Sequence, residues 1–234
     1  MPEPAIYIDD LSFTYQDGTA ALSHVSLTVG RSESVGIIGH NGSGKSTLFM
    51  VIVGINDSNG SVTVDGIPVN RAHIRDIRRK IGFVFHDARD QLFMSRVIED
   101  VAFGPLNTGL PREEALHRAE HALEMVGLSG FGDRVSYHLS GGEMRRAAIA
   151  SVLAMSPEII VMDEPSAGLD PRSKRELAGV LQSLACTKLI ASHDLGFIRA
   201  CANRVILIEK GRIIADGPAD TILDDTELLL AHGL

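Results

Sequence analysis

The chain has 234 residues, with 30 acidic and 22 basic side chains and a formal net charge of −8. Its length supports a sizeable core without disulfides, and 44% hydrophobic with 22% charged residues is typical of a globular protein rather than a disordered one. The acidic balance argues against nucleic acid as a partner, because no basic stripe is present to displace counterions from phosphates. The longest stretch without Asp, Glu, Lys or Arg covers residues 18–30, which is too short to cross a bilayer.

The first residues and the two cysteines predict a protein of the cytosol that is not secreted. The first ten residues contain neither the basic segment nor the apolar segment of a secretion signal. Cys186 and Cys201 stand in otherwise helix-like stretches without metal-ligand spacing. We interpret both as reduced thiols that behave as small hydrophobic side chains.

The first third of the chain has the pattern strand, Gly-rich loop, helix. Apolar residues over 22–38 predict strands, and residues 45–53 predict a helix that ends at Gly54. Apolar stretches over 61–64 and 67–69 flank Asp65 and Gly66, a pair suited to a tight hairpin turn. An antiparallel piece therefore accompanies the core.

The middle third, from about residue 87 to 139, has a different character. Helical spacing over residues 112–126 stops at Gly127, and strand patterns are absent between Phe85 and Ile159. We interpret this stretch as a helical insertion lobe.

The last third alternates short strands with helices. Strands are expected over 159–162, 188–191 and 205–208, separated by helices over 172–184 and 195–202. This alternation predicts a parallel sheet with crossover helices. The expected fold is an α/β P-loop NTPase core with a mostly parallel sheet, an antiparallel β subdomain and a helical insertion lobe. The core lobe would cover about 1–86 and 157–234, and the helical lobe about 87–156.

A phosphate-binding loop lies between the predicted strand and helix. The pattern G-x-x-x-x-G-K-[ST] predicts that backbone N–H groups at a helix N-terminus surround phosphate oxygens, with Lys45 reaching the outer phosphates and the Ser46 hydroxyl on Mg²⁺. The residues of this loop are Gly39, His40, Asn41, Gly42, Ser43, Gly44, Lys45, Ser46 and Thr47.

Two adjacent carboxylates end the apolar strand that begins at Ile159. Adjacent residues on a strand point in opposite directions, so the two acids can have separate roles. Asp163 would hold the Mg²⁺ shell, and Glu164 would accept a proton from the attacking water.

Three further positions are compatible with two interpretations each. Ser140 and Glu143 have the spacing of a helix capping box, but Ser140 with the Gly141 and Gly142 amides could also present a helix N-terminus to phosphate. His193 follows a strand whose carboxyl end points to the ligand crevice, where it could contact the γ phosphate, although a lone histidine is usually structural. Tyr15 could stack on an adenine or belong to the core.

These residues together resemble the ATP-binding cassette family along essentially the whole chain. The resemblance rests on Tyr15, loop 39–47, segment 139–143, Asp163 with Glu164, segment 166–170 and His193. It implies a subunit with two lobes that binds ATP and Mg²⁺. It also implies a dimer, with an identical or a different second ATPase chain, in which each ATP lies between one chain's phosphate loop and the other's Ser140 segment.

Two segments resemble one branch of this family more narrowly. Residues 91–93 and 99–107 look like the cobalt and nickel branch of energy-coupling-factor importers, and residues 138–143 and 167–171 agree with it. This implies integral membrane transporter subunits as partners and a peripheral position on the cytoplasmic side of the cell membrane.

His86 departs from the pattern, since the family usually has Gln at this position, where it senses Mg²⁺ and the attacking water. A neutral imidazole can still donate or accept one hydrogen bond, but its reach differs and it titrates near neutrality. Three functions therefore stay open: an ATPase that drives a metal-ion importer, a soluble cassette ATPase of iron–sulfur cluster assembly, and a weakly hydrolysing nucleotide switch.

Overall fold

The computed structural model of the chain describes residues 3–234. In chain order, the elements of this part of the chain are β1 (Ile6–Thr14), β2 (Ala20–Val29), β3 (Ser34–Ile38), α1 (Lys45–Ile52), β4 (Asn59–Val64), β5 (Ile67–Pro68), α2 (Ile74–Lys80), β6 (Ile81–Val84), α3 (Val97–Asn107), α4 (Arg112–Met125), α5 (Gly141–Leu153), β7 (Ile159–Asp163), α6 (Pro171–Ser183), β8 (Thr187–Ala191), α7 (Leu195–Cys201), β9 (Arg204–Glu209), β10 (Arg212–Pro218), α8 (Ala219–Asp224) and α9 (Thr226–Ala231).

A mostly parallel sheet in the order β10-β9-β3-β8-β7-β6 forms the centre of the fold. Its neighbouring strands run parallel except β10, which pairs antiparallel with β9 at the edge. The predicted strands and helices of the last third lie within one residue of their expected bounds. They are recognisable in the sequence because a parallel sheet covered on both faces consists of continuous apolar runs.

The side chains of this sheet alternate between two hydrophobic cores. Val35 and Ile37 of β3 contribute to one core, whereas Ile38 contributes to the other. The first core also takes Leu48 and Phe49 of α1 and the inner face of a second sheet, in the order β2-β1-β4-β5. Helix α1, which carries Lys45 at its start, is therefore packed against both sheets.

The second sheet is antiparallel and contains the predicted hairpin. Asp65 and Gly66 between β4 and β5 both have positive φ, 49° and 73°, as a tight two-residue turn requires. Strand β1 pairs with β2 and with β4, although the sequence pattern did not single it out.

Helices α3, α4 and α5 pack on one another in the middle of the chain. Within the described residues, no strand lies between β6 and β7, as predicted. Gly127 follows α4 with a φ of 71°, which L side chains rarely adopt and which ends the helix. The division into a core lobe over 1–86 and 157–234 and a helical lobe over 87–156 stays a proposal, and its first two residues lie outside the described part.

The two thiols are free, and they differ in position. Cys201 is the last residue of α7, and burial raises the pKa of its thiol to about 12. Cys186 lies in the loop between α6 and β8, so the expectation that it stands in a helix-like stretch was wrong. The reason is that the chain becomes extended at Leu184 before it enters the buried strand. Over residues 3–234, no helix has the length and apolar composition needed to cross a membrane.

Candidate nucleotide site

The phosphate loop connects β3 to α1 at the carboxyl edge of the parallel sheet. Gly39 and Gly44 have φ of 149° and 111°. A Cβ at Gly39 would collide with the carbonyl oxygen of Ile208, and one at Gly44 would lie 2.7 Å from the carbonyl oxygen of Ala21. Both glycines are therefore required by the backbone itself, which curls tightly against its neighbours.

Lys45, the first residue of α1, folds back over this loop. Its Nζ donates to the carbonyl oxygens of Gly39 at 2.7 Å and His40 at 3.1 Å. Burial lowers the pKa of Lys45, and the carboxylates of Glu164 and Asp163 act in the opposite direction. The ammonium is thus held by two loop carbonyls at a place where a bound phosphate would be a stronger partner.

Ser46 and Asp163 form an oxygen pair across the gap between α1 and β7. The Ser46 hydroxyl donates to Asp163 Oδ2 at 2.6 Å. In the described part of the chain, the buried Asp163 Oδ1 has no hydrogen-bond partner. Burial raises the pKa of Asp163 above its ordinary value, although Ser46, His86 and Lys45 act in the opposite direction. One hydroxyl and a carboxylate with a free oxygen fit a hard cation such as Mg²⁺, which prefers oxygen ligands.

Glu164 lies just beyond β7 and adopts a left-handed backbone, with a φ of 51°. The expectation that the two acids point in opposite directions as strand neighbours was wrong. Strand β7 ends at Asp163, and the turn at Glu164 lets both acids line the same cavity. The Glu164 side chain is buried and accepts from the Ser192 hydroxyl and the His193 backbone N–H, each at 3.0 Å.

The cavity has a volume of about 320 Å³ and contains most of the predicted site residues. Tyr15 lies at its wall, with its hydroxyl 2.9 Å from Thr47 Oγ1, and the exposed His86 lies near the two acids. Its lining consists of Tyr15, Thr19, Ala20, Ala21, Asn41, Gly42, Ser43, Gly44, Lys45, Ser46, Thr47, His86, Asp163 and Glu164. Gly39 and His40 contribute through their carbonyl oxygens behind Lys45.

His193 is placed beside the cavity rather than in its lining. Its ring Nδ1 lies 2.9 Å from Glu164 Oε2, and its side chain is 65% exposed. The ring is thus within reach of the carboxylate that faces the cavity.

The Ser140 segment does not reach this cavity within one chain. Ser140 caps α5: its hydroxyl accepts from the Glu143 N–H at 3.3 Å, and its own N–H donates to Glu143 Oε2 at 2.7 Å. These bonds lower the pKa of Glu143. Ser140 and Gly141 are nevertheless exposed, and Gly142 is half-buried, so the helix start is accessible to another molecule.

Three polar residues at the site were missed by the sequence reasoning. Ser192 donates to Glu164, while Arg145 and Gln91 hold the backbone next to His86. Each lies close to a recognised motif, but no local pattern specifies its partner. The partners of Ser192 and Arg145 are distant in sequence, whereas the Phe85 N–H lies only six residues before Gln91.

The family model described as ABC transporter matches residues 22–167, more than half of the chain. The match includes the phosphate loop, the Ser140 segment and both acids, whereas Tyr15 and His193 lie outside it. The chain belongs to the ABC transporter family. This confirms the predicted resemblance: the chain is an ABC-type ATPase, which binds ATP and hydrolyses it to ADP and phosphate.

Relatives of the ABC family cover almost the whole chain. It is 47% identical over 237 residues to an ABC transporter ATP-binding protein of Gloeobacter violaceus, covering 100% of this chain and 97% of that one. It is 45% identical over 230 residues to the energy-coupling factor transporter ATP-binding protein EcfA of Methanothermobacter thermautotrophicus, covering 96% of this chain and 74% of the relative.

Solved structures of ABC proteins share the fold. CbiO1 of Clostridium perfringens, part of the ABC transporter complex cbiONQ, has a TM-score of 0.85 at 35% identity and covers 98% of this chain and 94% of that one. The ATP-binding cassette MJ0796, a dimer in a post-hydrolysis state with ADP and phosphate, has a TM-score of 0.85 at 30% identity, covering 92% and 98%. The predicted α/β fold class is thus confirmed.

Proposed function

We propose that this ATPase energises a membrane importer of the energy-coupling-factor type, from the cytoplasmic face, and that its cargo is the cobalt or nickel ion. The observation that carries the proposal is the cavity in which Lys45, the Ser46–Asp163 pair and Glu164 meet. It supports nucleotide hydrolysis, and the similarity to EcfA and to CbiO1 supports the kind of transporter.

Lys45 and the loop amides hold the nucleotide phosphates in this proposal. The Lys45 ammonium exchanges the carbonyl oxygens of Gly39 and His40 for phosphate oxygens, which are charged acceptors and bind it more strongly. Ser46 and Asp163 would hold Mg²⁺, which when bound neutralises charge on the phosphates. Tyr15, half-exposed at the wall, is available to stack on the base.

Glu164 is the base in this proposal. Its carboxylate takes a proton from water as the water oxygen bonds to the γ phosphorus, and the bond from that phosphorus to the bridging oxygen breaks to release ADP. The Ser192 hydroxyl and the His193 N–H fix the carboxylate in place. His193 itself is placed to contact the γ phosphate from the Glu164 side.

A second ATPase chain completes the site in this proposal. Ser140, Gly141 and Gly142 lie outside their own chain's cavity, and a helix N-terminus that is accessible suits an anion brought by a partner. The dimeric form of MJ0796 supports this arrangement.

A groove beside β6 is the proposed contact for a membrane subunit. It has a volume of about 220 Å³ and is bordered by Phe93, which is 62% exposed, and Phe103, whose rings meet edge to face at 4.9 Å. Asp100 fixes this edge by accepting from the N–H groups of Phe93 and Met94, each at 2.8 Å. Exposed aromatic side chains around a groove favour an apolar helix of the partner.

Transport in vesicles tests the cargo and the coupling together. The tagged chain is purified with the membrane proteins encoded beside its gene, reconstituted, and supplied with ATP and labelled Co²⁺ or Ni²⁺. ATP-dependent uptake of either ion, abolished by Lys45→Ala and by Glu164→Gln, is the expected result. Vesicles that hydrolyse ATP but take up neither ion would contradict the proposed cargo. Failure of the tagged chain to copurify with any membrane protein would contradict the importer and favour a soluble cassette ATPase.

A further inference from the structure

Two side chains hold the backbone of Phe85 and His86. One is Arg145 of helix α5, and the other is Gln91, which is itself hydrogen-bonded to α5. The carbonyl oxygen of Phe85 accepts from Arg145 Nη1 at 2.8 Å, and that of His86 accepts from Arg145 Nη2 at 2.5 Å. The Phe85 N–H donates to Gln91 Oε1 at 3.2 Å. Gln91 in turn donates to the carbonyl oxygen of Ala148 at 2.8 Å. Three backbone groups of two adjacent residues are thus tied to α5, two of them directly through Arg145 and one through Gln91.

Arg145 is well suited to fix this segment. It is only 8% exposed, and burial lowers the pKa of its guanidinium, while Asp87, Asp163 and Glu164 act in the opposite direction. A planar guanidinium has two parallel donors that match two successive carbonyls, whereas a lysine is a single point charge. A buried cation with no function in the core would be costly to retain.

The same helix begins at the residue proposed to meet the partner's nucleotide. Ser140 caps α5, and Arg145 follows five residues later, about 7–8 Å along the helix axis. Helix α5 is 13 residues long and its middle is packed against buried side chains, so that both positions move as one body. His86, at the other end of the arginine contacts, lines the chain's own cavity.

We propose that Arg145 is a positioning residue that couples the two ATP sites: when Ser140 is seated on the partner's nucleotide, Arg145 carries the shift of α5 to His86 in its own site. Gln91 supports the same connection from the other side. The inference rests on the proposed two-chain site and adds to it a route by which one nucleotide affects the other.

Steady-state kinetics of the full chain provides the first test. Two coupled sites give an ATP Hill coefficient above 1, with the number of sites as its ceiling. Arg145→Lys and Gln91→Leu should bring the Hill coefficient close to 1. They should also lower kcat by about tenfold, because the backbone that holds His86 in the ATP site is displaced. The ATP affinity of the dilute, monomeric chain should stay within about twofold of wild type.

The alternative is that Arg145 and Gln91 only stabilise the fold. Arg118→Met removes an exposed arginine of α4 that pairs with Glu114, and it should leave both parameters unchanged. If Arg145→Lys and Gln91→Leu lose kcat only in proportion to the folded fraction and keep the wild-type Hill coefficient, the coupling role is wrong.

Mixed dimers test the coupling directly. A chain with Lys45→Ala and ring-labelled histidines is mixed with an unlabelled Glu164→Gln chain and ATP, so that the labelled chain seats its Ser140 on the partner's ATP while its own loop is empty. Its His86 resonance, assigned by comparison with His86→Gln, should shift on dimerisation. With Arg145→Lys also present, the dimer should form but the shift should fall by half or more.

The mixed dimers distinguish the coupling through Arg145 from the two-chain ATP site. A dimer whose His86 resonance does not move with Arg145 intact overturns the coupling and leaves the two-chain site standing. Failure of light scattering to detect any ATP-dependent dimer contradicts the two-chain site itself, and with it the coupling.

Discussion

The negative charge of Asp163 destabilises the folded chain when no nucleotide is bound, because the carboxylate is buried. Burial raises its pKa above the ordinary 3.8, so ionisation costs stability as pH rises through that range. Asp163→Asn keeps an acceptor for Ser46 but removes the charge. We expect it to stabilise the nucleotide-free chain by about 1 kcal/mol at neutral pH, while MgATP hydrolysis is lost.

Denaturant unfolding at several pH values measures this effect. The sign follows from the direction of the shift: below pH 3.8 the aspartate is protonated in both states, and the advantage of the Asn variant should disappear. If the advantage grows as pH falls, the carboxylate is not the source of the penalty.

His86 is the residue at which the chain departs from its family. It lines the cavity close to Asp163, so an imidazolium would repel the metal and could not accept a hydrogen bond. We therefore expect ATPase activity to fall when the pH is lowered and His86 becomes protonated. His86→Gln should flatten this limb and keep or raise the plateau rate at saturating MgATP.

The matched control is another exposed histidine. His24 pairs with Asp10 on the antiparallel sheet at 2.6 Å, away from the nucleotide cavity, and His24→Gln should keep the wild-type profile. Superimposable pH–rate profiles for wild type and His86→Gln would show that the histidine is only a tolerated replacement.

At the scale of the element, helix α5 combines a structural cap with a proposed ligand contact. Ser140→Ala removes the cap of α5, and loss of such a cap costs about 1 kcal/mol. Asp225→Ala removes a comparable cap from α9, where the aspartate accepts from the Leu228 N–H at 2.9 Å. Similar losses of stability are expected for both variants.

The two cap variants should differ in their response to ATP. Only Ser140→Ala should lose ATP-driven association, because Ser140 is proposed to touch the partner's nucleotide as well. Thermal unfolding together with light scattering measures both effects. Equal association in the two variants would reduce Ser140 to its capping role.

In the proposed dimer, each chain contributes its phosphate loop to one ATP site and its Ser140 segment to the other. Glu164→Gln preserves shape but cannot take the proton of water, so ATP should remain bound and hold two chains together. Sedimentation or light scattering with ATP should detect a stable dimer that wild type forms only transiently. A variant that stays monomeric well above its nucleotide affinity, or hydrolyses ATP normally, would falsify the proposed arrangement.

Features that depend on neighbours in the chain could be predicted from the amino-acid sequence. The Gly-rich connection between β3 and α1, the hairpin at Asp65 and Gly66, the Ser140 cap and the strands β3, β7, β8 and β9 were predicted correctly, because glycine placement, capping and apolar runs act over a few residues. The family followed from the order of the motifs, and the match over residues 22–167 confirmed it.

Contacts between residues that are distant in the chain depend on the tertiary fold and could not be predicted. Ser46 and Asp163 are far apart in sequence and share a hydrogen bond because the parallel sheet brings its carboxyl ends to one edge. The left-handed turn at Glu164 corrected the expected direction of its side chain. The contacts of Arg145 with the Phe85–His86 backbone could not be foreseen either, since an arginine in an amphipathic helix has no local signal for the carbonyls it will bind.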